Sequence, residues 1–440
     1  MGEWIQGCLV PFLLMGAGLF YSFRLGWFYL RHPVRVFGAL GRHRGADGTS
    51  PGRALSLALA GTLGVGNIVG VSSAIALGGN GAVLWMWISA LCAMILKYAE
   101  IVLAMRHRRY DREGKAHGAA MYYIRDFFEE IGLPKVGVFL AGGFALLCLV
   151  NAFSMGSLLQ VNAVSSALDG VFHLPPLAVG GMLAVFVFLM IRRGRAGLLR
   201  PIEFLVPFMT VGYVVLSLAV LVIRRDALPE AFASIFRDAC SGRAVAGGIL
   251  GSASGAAIRY GCMRGLISNE AGCGTAPAAH AIADGSRPAE QGVFGMVEVF
   301  VDTILLCTLT ALVVIVGNGV SSAPMGDFMM MTVRAYASVL GNFAGIFMAI
   351  AVFCFGVATV LCWAHYGLES VFYFSRKPIV ANLFSFFYGL SVLVGSVVSA
   401  SLVWQIADFA IAAMTLLNLL VLCPKAREVA EETRATFFFL

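Results

Sequence analysis

Eleven apolar runs, each read as long enough to cross a hydrocarbon layer, leave this chain little choice of fold. They fall near 5–23, 54–77, 83–105, 138–168, 176–191, 203–223, 244–266, 292–317, 340–372, 379–400 and 403–423, the fifth being short. A helix crosses a bilayer with about 17–25 such residues and some tilt. Of the 440 residues, 59% are hydrophobic and 12% charged, at a mean hydropathy of +0.86. Backbone in lipid must satisfy its own hydrogen bonds, so the expected fold is an all-α integral membrane protein of about 11 transmembrane helices.

Charge on the connections sets the expected orientation. With Arg264 counted to the loop that comes after it, 24 Lys and Arg fall on one side of the runs, while Arg224, Arg225, Arg237, Arg243 and Arg334 fall on the other. The positive-inside rule then puts the N-terminus outside and the C-terminus in the cytoplasm. The formal net charge of +7 is a topology signal, and no separate basic domain offers itself to nucleic acid. Met-Gly-Glu-Trp lacks a basic leader, and Arg24, Arg31 and Arg35 come after the first run, which reads as an uncleaved helix. Ten cysteines form no CxxC pair and sit mostly in apolar runs, as small core residues do.

Set the first helix aside and ten remain, as five plus five. Five is odd, so the second set enters the membrane from the opposite face, the arithmetic of an inverted repeat. The expected divisions are 1–53 for the leading helix and a basic loop, 54–223 and 244–423 for the two repeats, and 424–440 for a cytoplasmic tail. Each repeat opens on a glycine-dense stretch. The first is Gly61-Thr-Leu-Gly-Val-Gly-Asn-Ile-Val-Gly70 and the second Gly247-Gly-Ile-Leu-Gly251-Ser-Ala-Ser-Gly255. Each glycine costs a helix roughly 1 kcal/mol relative to Ala, so both helices are expected to break in mid-span. A break inside hydrocarbon is tolerable where its freed groups face protein, a cavity or a solute. The positive end of a half-helix suits a carboxylate, and loose carbonyls suit a small cation. The competing reading is that Gly66 and Gly70 merely let two helices approach.

Smaller signals add detail. Gly272, Thr275 and Pro277 predict a short cytoplasmic helix, and Met121, Ile124, Phe128 and Ile131 an interfacial one. Among polar residues in the runs, Lys97 or Arg259 is expected to pair with Glu100, Glu298 or Asp302, with a proton-relay role for Glu298 or Asp302 left open. His365 and Glu369 are read as an interfacial pair. Phe153, Gly156, Ser157 and Gln160 share a helical face, as do Thr359 and Trp363. No serine has a plausible base and no spacing suggests a catalytic metal, so the chain does not read as an enzyme.

Together these residues resemble the alanine/glycine:cation symporter family, sodium-coupled amino acid carriers with the leucine-transporter type of fold. The resemblance rests on the Gly61–Gly70 stretch, Lys97-Tyr-Ala-Glu100, Met121-Tyr-Tyr-Ile, Gln160-Val-Asn, Arg259-Tyr-Gly-Cys-Met-Arg-Gly-Leu-Ile-Ser-Asn-Glu-Ala-Gly, Ala276-Pro-Ala-Ala-His and Val403-Trp-Gln-Ile-Ala-Asp. It implies a symporter in the cell membrane importing a small neutral amino acid, alanine or glycine first, with sodium and no other cofactor. Sodium would meet the carbonyls of Ala60, Leu63 and Phe355 and the Thr359 hydroxyl, with Asn67 facing a second cation or the substrate carboxylate. Gly64, Gly66, Asn67, Gln160, Ser252, Ser254, Gly255 and Trp363 would surround the amino acid. Three positions depart from the pattern. Ala358 stands where a second hydroxyl is usual, Ala120 where a proline is, and Ser252-Ala-Ser-Gly255-Ala is smaller than expected, which suits a substrate larger than alanine, such as glutamine. Proton coupling, or sensing without transport, are the alternatives, and the oligomeric state is not legible.

Overall fold

A computed structural model describes residues 9–41, 49–239, 255–317 and 328–438, without the side chains of 400–402. These residues are almost wholly helical, with one two-stranded ribbon, β1 (Arg109–Tyr110) against β2 (Ala116–His117). The elements in order are α1 (Val10–Arg24), α2 (Pro51–Thr62), α3 (Val71–Gly78), α4 (Ala82–Arg106), α5 (Ala120–Glu130), α6 (Pro134–Phe172), α7 (Pro176–Arg192), α8 (Gly194–Ile223) and α9 (Leu228–Ala239). They continue as α10 (Ala256–Asn269), α11 (Ala276–His280), α12 (Pro288–Val316), α13 (Phe328–Leu340), α14 (Phe343–Phe374), α15 (Pro378–Gly395), α16 (Ala400–Leu422) and α17 (Ala426–Phe437). Proline opens α2, α6, α7, α12 and α15, where its fixed φ suits the first turn and its missing N–H costs nothing.

Seven of these helices are long and apolar enough to span a membrane, or eight if the bent pair Pro51–Thr62 and Gly66–Gly78 is one span. Shorter apolar helices match the first and fifth runs, while the seventh run is described only from Gly255 onward. On α8 the side chains of Phe204, Phe208, Val211, Val215, Leu218 and Val222 are exposed at alternating steps of four and three. That is one continuous oily stripe on an outer helix, which water would not tolerate and lipid covers. α4 and α14 are the opposite case, buried nearly all round, and form the centre of the bundle.

The first break is present. α2 ends at Leu63, whose ψ of 68° leaves the helix, and the chain resumes through a π-helical turn, Gly66–Gly70, with a bend of 53°. The second expected break, Gly247–Gly251 with Ser252 and Ser254, lies outside the described residues.

Two further π-helical segments, Ser154–Leu158 in α6 and Phe300–Cys307 in α12, were not expected. Each widens the helix and shifts the register of the residues beyond it. The shared face read for Phe153, Gly156, Ser157 and Gln160 is therefore split. Gly156 abuts Trp363, Ser157 bonds Ser391 at 2.6 Å, and Gln160 turns to the first break. His365 and Glu369 also part company. The His365 ring meets the Ala278 carbonyl at 3.0 Å, and Glu369 is held by His117 at 3.0 Å and Arg195 at 3.6 Å. Both are buried, so each takes a polar partner from a neighbouring element, His365 from α11 and Glu369 from β2 and α8.

The short helix expected after Thr275 exists as α11, and all five of its residues are buried. Gly272 and Gly274 lead into it at φ of 81° and 77°, and a Cβ on Gly272 would come within 2.0 Å of Leu14 on α1. Only glycine fits there. Lys97 does find an acid: its Nζ donates to Glu298 Oε1 at 2.9 Å and to the Asn269 carbonyl at 2.5 Å, with both charged side chains fully buried.

α17 is clamped by charges beyond the apolar runs. Arg106 bonds Glu428 at 2.7 Å and Glu432 at 2.8 Å, while His107 reaches Asp126 at 2.8 Å and Glu428 at 3.1 Å. Burial opposes the charged form of His107, yet bonds to Asp126 and Glu428 raise its pKa. Burial likewise opposes the Glu428 carboxylate, but His107 and Lys425 lower its pKa to about 2. The Glu428 contribution is complete above the ordinary 4.5 and fades as pH falls toward about 2. The His107 contribution is complete below the ordinary 6.5 and is lost as pH rises through its raised value. Docking is thus firmest between 4.5 and 6.5. Amide exchange over Ala426–Phe437, corrected for its intrinsic pH dependence, is expected to quicken as pH rises above 6.5 through the raised His107 value, and His107→Gln to be quick throughout. A flat wild-type profile would rule out this clamp.

Candidate functional site

At the break, the chain lacks a helical partner for several backbone groups, and neighbouring helices supply them. Thr359 on α14 donates its hydroxyl to the Ala60 carbonyl at 2.8 Å and contacts the Phe355 carbonyl at 2.9 Å. The Oε1 of Gln160, on α6, accepts from the Val65 N–H at 3.4 Å, while its Nε2 donates to Met155 O at 3.2 Å. Gly64 lies between them: a Cβ there would sit 3.2 Å from Thr359 Oγ1 and 3.3 Å from the Gln160 amide. Gly66 faces the other way, and a Cβ on it would meet nothing within 4 Å. Of the residues expected to hold a cation, Ala60, Phe355 and Thr359 are thus brought into direct contact, and Leu63 ends the helix they surround.

Asn67 turns away from this group toward α12. Its Nδ2 donates to Asp302 Oδ1 at 2.6 Å, and its Oδ1 is buried with no partner. Ser268 and Thr303 donate to the other Asp302 oxygen at 2.9 and 2.8 Å. The acid is fully buried and held by three uncharged donors, with no Lys, Arg or His nitrogen within 4.0 Å among the described residues.

Beside the break lies a cavity of about 520 Å³. Gly64, Gly66 and Gln160 line it, together with Ser268, Arg264 and Trp404, and α13 and the start of α14 add Met329, Val333 and Met348. Trp363 does not. It is fully buried, its ring stacked edge-on to Tyr366 at 5.3 Å, and a Cβ on Gly156 would come within 2.2 Å of it. Gly255 is described but does not line the cavity, and Ser252 and Ser254 lie outside the described residues. Sequence reasoning missed Arg264, Ser268 and Trp404 as cavity residues. Arg264 offered a signal, a charge at the end of an apolar run, but from sequence it reads as part of the next loop.

A membrane-embedded helical bundle with a broken span, whose loosened backbone adjoins a cavity and is held by side chains of other helices, has the makings of a membrane transporter. A solved structure agrees on the fold: a mutant of the Eremococcus coleocola manganese transporter superimposes with a TM-score of 0.51 over 87% of this chain and 78% of that one, at 16% identity. More specifically, the chain belongs to the sodium:alanine symporter family, whose sequence profile matches residues 1–436. It is 34% identical to the sodium/alanine symporter AgcS of Methanococcus maripaludis across 99% of this chain and 95% of that protein. It is 30% identical to GlnT of Bacillus subtilis, whose name couples sodium to glutamine, across 94% and 84%. These relatives are transporters, not enzymes.

Proposed function

We propose that this chain imports a small neutral amino acid together with sodium by alternating access. In this reading the eleven apolar runs are eleven spans: a leading helix with its basic loop (1–53), two inverted five-helix repeats of leucine-transporter type (54–223 and 244–423), and a cytoplasmic tail (424–440). The charge asymmetry of the loops supports an N-terminus outside and a C-terminus in the cytoplasm.

The observation that carries the proposal is the meeting of Ala60, Phe355 and Thr359. Two carbonyls from different helices approach one hydroxyl at 2.8 and 2.9 Å, an all-oxygen group of the kind a hard cation prefers. Sodium held there, with Leu63 adding a carbonyl, ties α14 to the broken span. Asn67 serves a second cation or the substrate carboxylate. Gly64, Gly66 and Gln160 line the cavity around the amino acid, Ser252 and Ser254 would complete it from the second repeat with Gly255 set back from the lining, and Trp363 acts from behind Gly156 by fixing the packing of α14. If the cation favours the state that binds the amino acid better, each ligand tightens the other by the same factor.

Labelled alanine, glycine and glutamine, offered to proteoliposomes with and without a sodium gradient, test the reading and rank the substrates. The name of GlnT and the 520 Å³ cavity are the reasons to include glutamine. Saturable binding without accumulation would instead favour a sensor. Thr359→Ala is expected to raise the sodium half-saturation about tenfold, equivalent to ~1.4 kcal/mol. An unchanged value would remove this group from the coupling site. Asp302, buried with no Lys, Arg or His nitrogen within 4.0 Å among the described residues, supports a second reading in which a proton replaces or joins sodium. Uptake in sodium-free buffer under a pH gradient would favour it.

A further inference from the structure

The wall of the cavity carries a charge that the sodium and amino acid sites leave unused. Among its described lining residues, Arg264 is the one ionised side chain. It stands on α10 beside the outer limb of the broken span, its Cδ 3.9 Å from where a Cβ on Gly70 would be. The guanidinium carbon is 6.0 Å from the centroid of the Trp404 ring. Its Nε is buried with no hydrogen-bond partner, and no carboxylate oxygen comes within 4.0 Å among the described residues. Asp408, one turn beyond Trp404, is the acid whose field it feels, but Asp408 lines a separate small crevice with Val10 and Leu14, and its own Oδ1 is buried and unpartnered.

A guanidinium left this way in a largely apolar wall is costly unless an anion meets it. Its planar fork matches one group best: a carboxylate, gripped by two parallel N–H···O bonds. The aromatic face of Trp404 adds a weaker restraint on the plane. We propose that Arg264 is a carboxylate-binding subsite of the cavity, taking either the α-carboxylate of the amino acid or a second carboxylate on its side chain. Gly70 lies four residues beyond Gly66, within one turn of the π-helical segment. An acidic side chain extended from the break covers that distance, whereas a short amino acid reaches Arg264 with its α-carboxylate by sitting toward Gly70.

This subsite rests on the carrier reading above, and the test separates the two. Full-length wild type, Arg264→Gln and Arg264→Lys are reconstituted in proteoliposomes, and uptake of labelled L-alanine is measured with L-alaninamide and L-glutamate as competitors. If the α-carboxylate is the ligand, Arg264→Gln raises the alanine half-saturation about tenfold, leaves the sodium half-saturation within about twofold, and leaves alaninamide competition unaltered, so that the preference for alanine over its amide collapses. If a side-chain carboxylate is the ligand, that preference survives and competition by glutamate is lost instead. Arg264→Lys, which keeps the charge without the fork, falls between wild type and Arg264→Gln in either case, and it carries the test if Arg264→Gln does not reach the membrane. Preference and competition both within about twofold of wild type, or a lower maximal rate with both unchanged, would overturn the subsite and leave the carrier standing. A wild type that accumulates none of alanine, glycine or glutamine would overturn the carrier reading and the subsite with it.

Discussion

Glu298→Gln is expected to lower the thermal unfolding midpoint by about 5 °C or more, a large loss for a change of one atom in shape-conserving fashion. The reason is the company that Lys97 keeps. Its ammonium has two partners, Glu298 Oε1 at 2.9 Å and the Asn269 carbonyl at 2.5 Å, and no exposure to solvent. The second Glu298 oxygen meets His280 Nε2 at 3.1 Å, and His280 Nδ1 accepts from the Gln291 side chain at 2.8 Å. That bond fixes His280 as a donor through Nε2, so it cannot replace Glu298 as a negative partner. Two further buried acids nearby each have one oxygen bonded, Glu100 by the Gly274 N–H and Asn418 and Glu270 by Thr275, and among the described residues neither comes within 4.0 Å of the Lys97 ammonium. Removing one member of a buried pair strands the other, at about 3–5 kcal/mol, whereas removing both is far milder. The double variant Lys97→Met/Glu298→Gln should therefore recover part of the midpoint. Detergent-solubilised protein analysed by size-exclusion after heating gives the comparison, and a Glu298→Gln midpoint equal to wild type would show that the pair does not matter to stability.

Gly156→Ala is the second large effect, and it acts on transport. The added methyl would lie 2.2 Å from Trp363 Cβ and 2.4 Å from its Cγ, and neither atom is the free end of a flexible chain. Overpacking of this kind typically costs about 1–3 kcal/mol and moves backbone. Trp363 is one turn from Thr359, so a shift of α14 there pulls the hydroxyl from the Ala60 carbonyl. Uptake is expected to fall at least about tenfold with expression retained, while Gly143→Ala, on the same helix with nothing within 4 Å of the new carbon, leaves uptake unchanged. Equal activity in the two variants would mean that α14 tolerates the push.

Features legible in the sequence and features hidden from it obey different physics. The apolar runs were legible because lipid imposes a length on every span, and the first break because glycines weaken a helix wherever they cluster. The Lys97 partner could be narrowed to a few acids, since a charge in hydrocarbon must find its opposite. The π-helical turns were not legible. They depend on the packing against α6 and α12, and with them went the rotation of every side chain downstream, including Gln160 and Ser157. The resemblance set Trp363 beside the amino acid, while its spacing to Thr359 showed only a shared helical face; the groove it fills is the one left by Gly156 on α6. Arg264 was hidden for a related reason: a charge near the end of a run reads as loop unless a cavity is known to be beside it.

The leading helix α1 has one more implication. Gly18 sits so close to α4 that a Cβ there would come within 2.6 Å of the Cys92 carbonyl, Leu14 caps Gly272, and the Tyr21 hydroxyl donates to the Leu422 carbonyl. Those three contacts weld α4, the loop behind α10 and the end of α16 into a single block. In the carrier reading proposed above, rocking then falls at a seam elsewhere, and among the described residues the broken span near Gly64 is hydrogen-bonded to α6 and α14 through the side chains of Gln160 and Thr359.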